Sequence, residues 1–417
     1  MTAPDALVIG AGLSGLACAR HLRRHDLRVQ VLDASDRVGG RVRTESVDGF
    51  RLDRGFQVLL TAYPQAKLEL DYEALNLHPF YDGALVRYGG RFHRVADPFR
   101  HLLDAPKTLL SPVGSPADKL RVARMRARLT RDTIPGIMDR PERTTLAALR
   151  ERWGFSSSMI DRFFRPFFGG VFFDRSLEAS SRMFEFLFKM FAEGRTVLPA
   201  GGIDQIPTQM CAHLPDDAIR LNTSVEGVDD QTVTLASGET LQAPAVVVAT
   251  AAPEADRLIG DVSPVQGRST VCLYYAAPES PLDDPILVLN GDGVGPINNV
   301  VVPSDVAPGY APADRALVGA VVVGEAVEDD AQLERAVREQ LIDWFGLEAG
   351  GWDHLRTMHI PYALPDQSPP FLSPPERDVR RRPSLYVCGD HRRNGSLNGA
   401  MASGRAAARA VLEDRSK

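Results

Sequence analysis

Residues 6–33 constrain this chain more than any other segment. Ala6-Leu7-Val8-Ile9 is a short apolar run that leads straight into Gly10-Ala11-Gly12-Leu13-Ser14-Gly15. A helical pattern follows over 16–25, then a second apolar run, Val29-Gln30-Val31-Leu32, closed by Asp33. Strand, glycine turn, helix and strand in this order make a βαβ unit. Each glycine has its own duty in such a unit. Gly10 permits the tight turn, Gly12 lets backbone approach a diphosphate, and Gly15 lets helix and strand pack closely. Leu13 and Ser14 open the helix, whose free N–H groups and positive dipole end face the phosphates. Asp33 lies 18 residues after Gly15 and is placed to accept hydrogen bonds from ribose hydroxyls. A bare glycine turn needs neither the acid nor its spacing, so the segment reads as a dinucleotide-binding unit.

The run then continues Ala34-Ser35-Asp36-Arg37-Val38-Gly39-Gly40-Arg41-Val42-Arg43-Thr44. A nicotinamide site needs no second Gly-Gly flanked by arginines. Gly39 and Gly40 allow further backbone contact, and Arg37 and Arg41 offer forked donors to a diphosphate. This stretch resembles the glycine–arginine motif of the FAD-dependent amine oxidase, protoporphyrinogen oxidase and carotenoid (phytoene) desaturase superfamily. Three later segments resemble the same superfamily, in the same order. Residues 50–57 carry Gly55-Phe56-Gln57, where a glycine turn meets the flavin ring. Residues 222–228 precede the apolar run 245–250, which places Val225 at adenine and Thr250 at the end of a strand. Residues 385–390 end in Gly389-Asp390, and Ser396-Leu397-Asn398 opens a final alanine-rich helix. The resemblance implies non-covalent FAD, a ribityl or phosphate contact from Asp390, and a helix start facing the flavin edge, where reduced flavin carries negative charge.

The implied fold is α/β: a Rossmann-type, GR2-like FAD-binding domain interleaved with an α+β substrate domain. Residues 1–75, 197–260 and 350–417 are assigned to the FAD domain, and 76–196 and 261–349 to the substrate domain. Within the latter, strands are expected at 271–275, 286–289, 300–302 and 317–323, and a helix at 329–345. Its residues Leu333, Val337, Leu341 and Phe345 share one face.

Length and charge agree with this picture. The chain has 417 residues, 44% hydrophobic and 24% charged, with a net charge of −6, which excludes wholesale disorder and makes a nucleic-acid partner a poor match. The four Cys form no CxxC pair and the nine His form no HExxH, so no metal site is expected. With no leader-like start and a longest uncharged stretch of 240–253, the expected setting is cytoplasmic, with peripheral membrane contact as an option. That option rests on 119–131, which holds six basic residues and no acid, with Val122, Met125 and Leu129 along one stripe. The alternative is a solvated outer face.

Substrate class is read from two features. Eleven of the 18 Phe lie between 155 and 191, enough to line an apolar channel or to fill an interhelical core. Adjacent pairs such as Phe163-Phe164 and Phe167-Phe168 point to different sides, so some should meet a cavity, a partner or a lipid surface. The second feature is a departure from the amine oxidases. Residues 267–273 lack the Lys those enzymes place near the flavin, position 396 is Ser rather than an aromatic, and Cys388 does not match a flavin-tethering Cys. The expected activity is a desaturase or dehydrogenase that moves a hydride from a lipophilic, isoprenoid or carotenoid-like substrate to flavin N5. A flavin amine oxidase, a non-redox flavin isomerase and a flavin-binding sensor are the alternatives. Tyr362, Arg392 and Arg393 are candidate substrate-facing residues.

Overall fold

The computed structural model describes residues 3–97, 100–101, 108, 111–260, 265–324 and 329–416. Two sheets organise it. The first has six strands in the order Ile219–Arg220, Val29–Leu32, Ala6–Ile9, Ala245–Val248, Leu385–Val387 and Arg380–Arg382, parallel except for the last. Ala6–Ile9 and Ala245–Val248 are buried along their whole length, as strands covered on both faces should be. The helices Leu13–Arg23 and Leu397–Arg415 pack against each other on this sheet. A Cβ at Gly404 would lie 2.0 Å from the Ser14 carbonyl oxygen, so only glycine allows this approach.

The second sheet has seven strands, ordered Asp353–Pro365, Gly267–Ala277, Ala316–Val323, Ile297–Val301, Leu287–Asn290, Gly83–Tyr88 and Arg91–Ala96. All neighbours are antiparallel except Leu287–Asn290 with Gly83–Tyr88. The helix Asp330–Phe345, capped by the Asp329 carboxylate, covers one face through Leu333, Val337, Leu341 and Trp344. The opposite face carries Cys272, Tyr274, Val321, Met358 and Ile360 and turns toward Phe50, Leu52 and Phe56. The four expected strands and the expected helix are present.

One assignment needs correction. Residues from 350 onward were expected in the FAD domain, but Asp353–Pro365 pairs along Gly267–Ala277, with Cys272 opposite Met358. It is the edge strand of the seven-stranded sheet, and the nucleotide sheet resumes only at Arg380–Arg382. An edge position is where Pro361 and Pro365 are tolerated in a strand.

The basic helix Pro116–Arg131 packs on Ser181–Glu193. Met125 and Leu129 are fully buried there, and Val122 packs on the same core. The apolar stripe that would enter a membrane interface is thus used inside the protein. No helix among the described residues is long and apolar enough to cross a membrane.

Candidate cofactor and substrate site

A cavity of about 620 Å³ opens at the carboxyl ends of the parallel strands and runs beneath the seven-stranded sheet. Gly10 follows Ile9, Asp33 follows Leu32, Ala249 and Thr250 follow Val248, and Gly389 and Asp390 follow the strand ending at Val387. All of these line the cavity. This is the crevice where open α/β sheets bind ligands. The helices beginning at Leu13 and Leu397 both start at its wall, with Gly12 and Ser396 as their N-caps.

The glycines divide as the sequence motif requires. Gly10 has φ +108°, and Gly15 faces the turn so closely that a Cβ would lie 1.9 Å from the Gly10 carbonyl oxygen. Gly15 is a packing glycine and does not touch the cavity. At Gly12 nothing lies within 4 Å of a Cβ, so the space in front of it belongs to the cavity. The Asp33 carboxylate accepts from the Ala11 N–H (2.6 Å) and the Ser35 N–H (2.8 Å), pinning both turns while keeping a free lone pair on each oxygen. Ala34, Gly39, Gly40, Gly55, Phe56, Gln57 and Val225 complete this part of the wall.

Arg41 and Asp390 form the site's central ion pair. The Arg41 guanidinium donates to Asp390 Oδ2 (2.7 Å) and to the Ala363 carbonyl (2.9 Å). Asp390 Oδ1 and Thr250 Oγ1 are buried without a partner among the described residues, as is the Nε of Arg43. All three residues line the cavity. Buried polar atoms normally find partners. Orphaned acceptors and donors beside two helix starts and an open glycine fit a polyhydroxylated diphosphate, as FAD is.

The far half of the cavity is apolar. Pro166, Phe167, Val171, Phe173, Leu187 and Phe191 form one wall, and Thr270, Leu287, Asn299, Val321 and Ile360 of the seven-stranded sheet form the other. The clustered phenylalanines therefore do both jobs. Phe164, Phe168, Phe172, Phe184 and Phe186 are buried core, while Phe167, Phe173 and Phe191 face the cavity. Among the described lining residues the acids are Asp33, Glu254 and Asp390, all at the dinucleotide end. No Lys, His or Cys is among the described residues that line it.

Five expected site residues stand elsewhere. Arg37 is half-exposed and pairs with Asp36. The arginines that line the cavity are Arg41, Arg43 and Arg54, with Arg43 also donating to the Arg37 carbonyl and pairing with Asp36. Asn398 accepts from the Gln65 N–H and anchors the final helix instead. Tyr362 packs against Gly267, with the Arg41 guanidinium 5.5 Å from its ring centre. Arg392 donates to the Asp378 carbonyl and Arg393 pairs with Glu376. None of the five lines the cavity, and for Arg392 and Arg393 the short 3₁₀ turn Asp390–Arg392 carries the side chains away from it. The same turn buries His391, whose ring sits over Gly389. Burial lowers its pKa to about 4, so it is neutral at pH 7.

Residues 13–412 match the family described as flavin containing amine oxidoreductase, and the chain belongs to that family. It is a flavin oxidoreductase with FAD as its cofactor. Over 52 residues it is 44% identical to polyamine oxidase 3 of Oryza sativa subsp. japonica, 12% of this chain and 11% of that protein. The chain matches only about a tenth of the length of such curated relatives. Solved structures are similar over almost the whole chain. One from Exiguobacterium sp. 255-15, provisionally named a protoporphyrinogen oxidase, has a TM-score of 0.72 at 19% identity, covering 99% of this chain and 100% of that one. Cyclohexylamine oxidase from Brevibacterium oxydans IH-35A has 0.68 at 18%, covering 100% of each. At these identities the likeness concerns the fold.

Proposed function

We propose that this flavin oxidoreductase dehydrogenates a neutral, lipophilic substrate of the isoprenoid or polyene class. The supporting observation is the far half of the cavity, where Phe167, Phe173, Phe191, Val171 and Leu187 face the sheet with no carboxylate, lysine or histidine among the described lining residues. An ammonium group entering such walls would lose hydration without gaining a counter-ion. An apolar chain would gain roughly 25 cal/mol for each Å² it removes from water.

In this reading Gly12 and the start of Leu13–Arg23 hold the diphosphate, Asp33 the adenosine ribose, Val225 the adenine, and Thr250 and Asp390 the ribityl side. Arg41 pairs with Asp390 and orients it, leaving Oδ1 for a hydroxyl. The start of Leu397–Arg415 lends its positive end to the ring. Bound non-covalently, FAD supplies a two-electron, hydride-accepting group. The protein's own contribution is to exclude water and align a C–H bond, since the described residues of its apolar walls include no side-chain base.

The experiment is extraction of the purified yellow protein with organic solvent, followed by mass spectrometry. A stoichiometric isoprenoid- or polyene-like molecule released with the flavin is the expected result. A polar amine recovered in its place refutes the reading.

A further inference from the structure

The apolar half of the cavity contains one built polar device. In the strand Ile297–Val301, Ile297 faces Val322 and Asn299 faces Val321, so Asn298 is an extra residue, a β-bulge. A bulge breaks strict alternation and can turn consecutive side chains to one side. Here both asparagines reach the helix Arg165–Phe172. Asn298 Nδ2 donates to the Pro166 carbonyl (2.8 Å) and to Asn299 Oδ1 (3.0 Å). The two residues are only 1% and 3% exposed.

These bonds settle which way each amide points. Asn298 must present its nitrogen to Pro166, and the same nitrogen then requires an oxygen from Asn299. The Nδ2 of Asn299 is left over. No hydrogen bond engages it among the described residues, and Asn299 lines the cavity, so this nitrogen is open to the cavity, whereas the buried atom of the pair without a partner is Asn298 Oδ1. The other polar residue on that wall, Thr270, already gives its hydroxyl proton to the Val322 carbonyl (2.9 Å). Gly170 makes room for the arrangement. A Cβ there would lie 2.9 Å from both Asn298 Nδ2 and Asn299 Oδ1.

We propose that Asn299 is a specificity residue whose Nδ2 donates to a single oxygen acceptor, a carbonyl or ether-like oxygen, on an otherwise apolar substrate. The inference rests on the lipophilic reading above and narrows it. A pure hydrocarbon filling the cavity would cover this donor and leave it unpaired, whereas a substrate with one oxygen satisfies it. The acceptor is assigned to the substrate, because no hydrogen bond from Thr270 or any other described wall residue reaches this nitrogen and the rest of that wall is mainly Phe, Val, Leu and Ile.

The test uses the oxidised holoenzyme and two C15 probes that share a skeleton, farnesal, which carries an aldehyde oxygen, and β-farnesene, which carries none. Binding is read from the change in flavin absorbance on titration. The wild-type protein should bind farnesal about five- to tenfold more tightly than β-farnesene, the worth of one neutral hydrogen bond. Asn299→Leu, which keeps the branched shape without the donor, should abolish that preference while retaining flavin. Gly170→Ala keeps the amide but displaces it, and should also reduce the preference. Equal wild-type affinity for the two probes, or full preference retained in both variants, overturns the proposal. Binding of neither probe while cyclohexylamine perturbs the flavin overturns the lipophilic reading and the proposal with it. Binding of both probes without preference overturns the proposal alone.

Discussion

Replacing Arg41 by methionine removes a charge and keeps most of the side-chain stem. In the native protein the guanidinium bridges Asp390 Oδ2 at 2.7 Å and the Ala363 carbonyl at 2.9 Å. The Asp390 side chain is 5% exposed and that of Arg41 33%. Methionine leaves Asp390 as a buried carboxylate with no cation and an Oδ1 that already lacks a partner. Breaking one side of a buried pair costs about 3–5 kcal/mol. Water reaches one end of Arg41, so the lower end applies, about 3 kcal/mol. Adding Asp390→Asn in the Arg41→Met background removes the stranded charge and should restore a large part of that loss. The assay is urea unfolding followed by circular dichroism at several FAD concentrations, so that the linkage to cofactor can be subtracted. A loss below about 1 kcal/mol in Arg41→Met, or a double variant no more stable than the single one, would refute the reasoning.

Two further outcomes follow from the same geometry. Gly12→Val should fold with native circular dichroism and purify colourless, because its side chain enters open cavity, whereas Gly15→Val should fail to fold, since its Cβ meets the Gly10 carbonyl at 1.9 Å. Asp53 is buried beneath the site and accepts from Thr44 Oγ1, the Ile203 N–H and Tyr310 Oη, and burial raises its pKa from 3.8 to about 6. A raised folded value means that the folded state holds this proton more tightly. Its contribution is therefore complete below the unfolded pKa and lost as pH rises through about 6. Relative to Asp53→Asn, the wild-type protein should lose up to about 3 kcal/mol between pH 4 and pH 7. Parallel stability curves for the two proteins would contradict this.

The dinucleotide half was legible because its determinants are local. Gly10, Gly12, Gly15 and Asp33 sit within one βαβ unit, and the Gly389-Asp390 turn ends a continuous apolar run. Side-chain direction was less legible. Arg37 and Arg43 flank the same Gly-Gly and both pair with Asp36, and only the turn after Gly40 shows that Arg43, and not Arg37, lines the cavity. Arg392 and Arg393 read as plausible wall residues until the 3₁₀ turn after Gly389 aims them at Asp378 and Glu376. The strand Asp353–Pro365 was hidden by its prolines and by partners some ninety residues away in Gly267–Ala277. The Asn298-Asn299 device left no readable signal. Two asparagines suggest a turn, and the bulge that gives them meaning exists only through pairing with Ala316–Val323.

The most direct measurement of the central claim is anaerobic stopped-flow reduction of the holoenzyme by a panel of substrates. The panel contains farnesal and other isoprenoids, a linear polyene, a porphyrinogen, cyclohexylamine and putrescine, with flavin bleaching as the signal. The apolar half-cavity and its lack of acidic, lysine or histidine side chains among the described lining residues lead to one expected result. An isoprenoid or polyene should bleach the flavin at least tenfold faster than either amine at equal concentration. Rapid bleaching by putrescine or cyclohexylamine, with isoprenoids and polyene inert, would contradict the account.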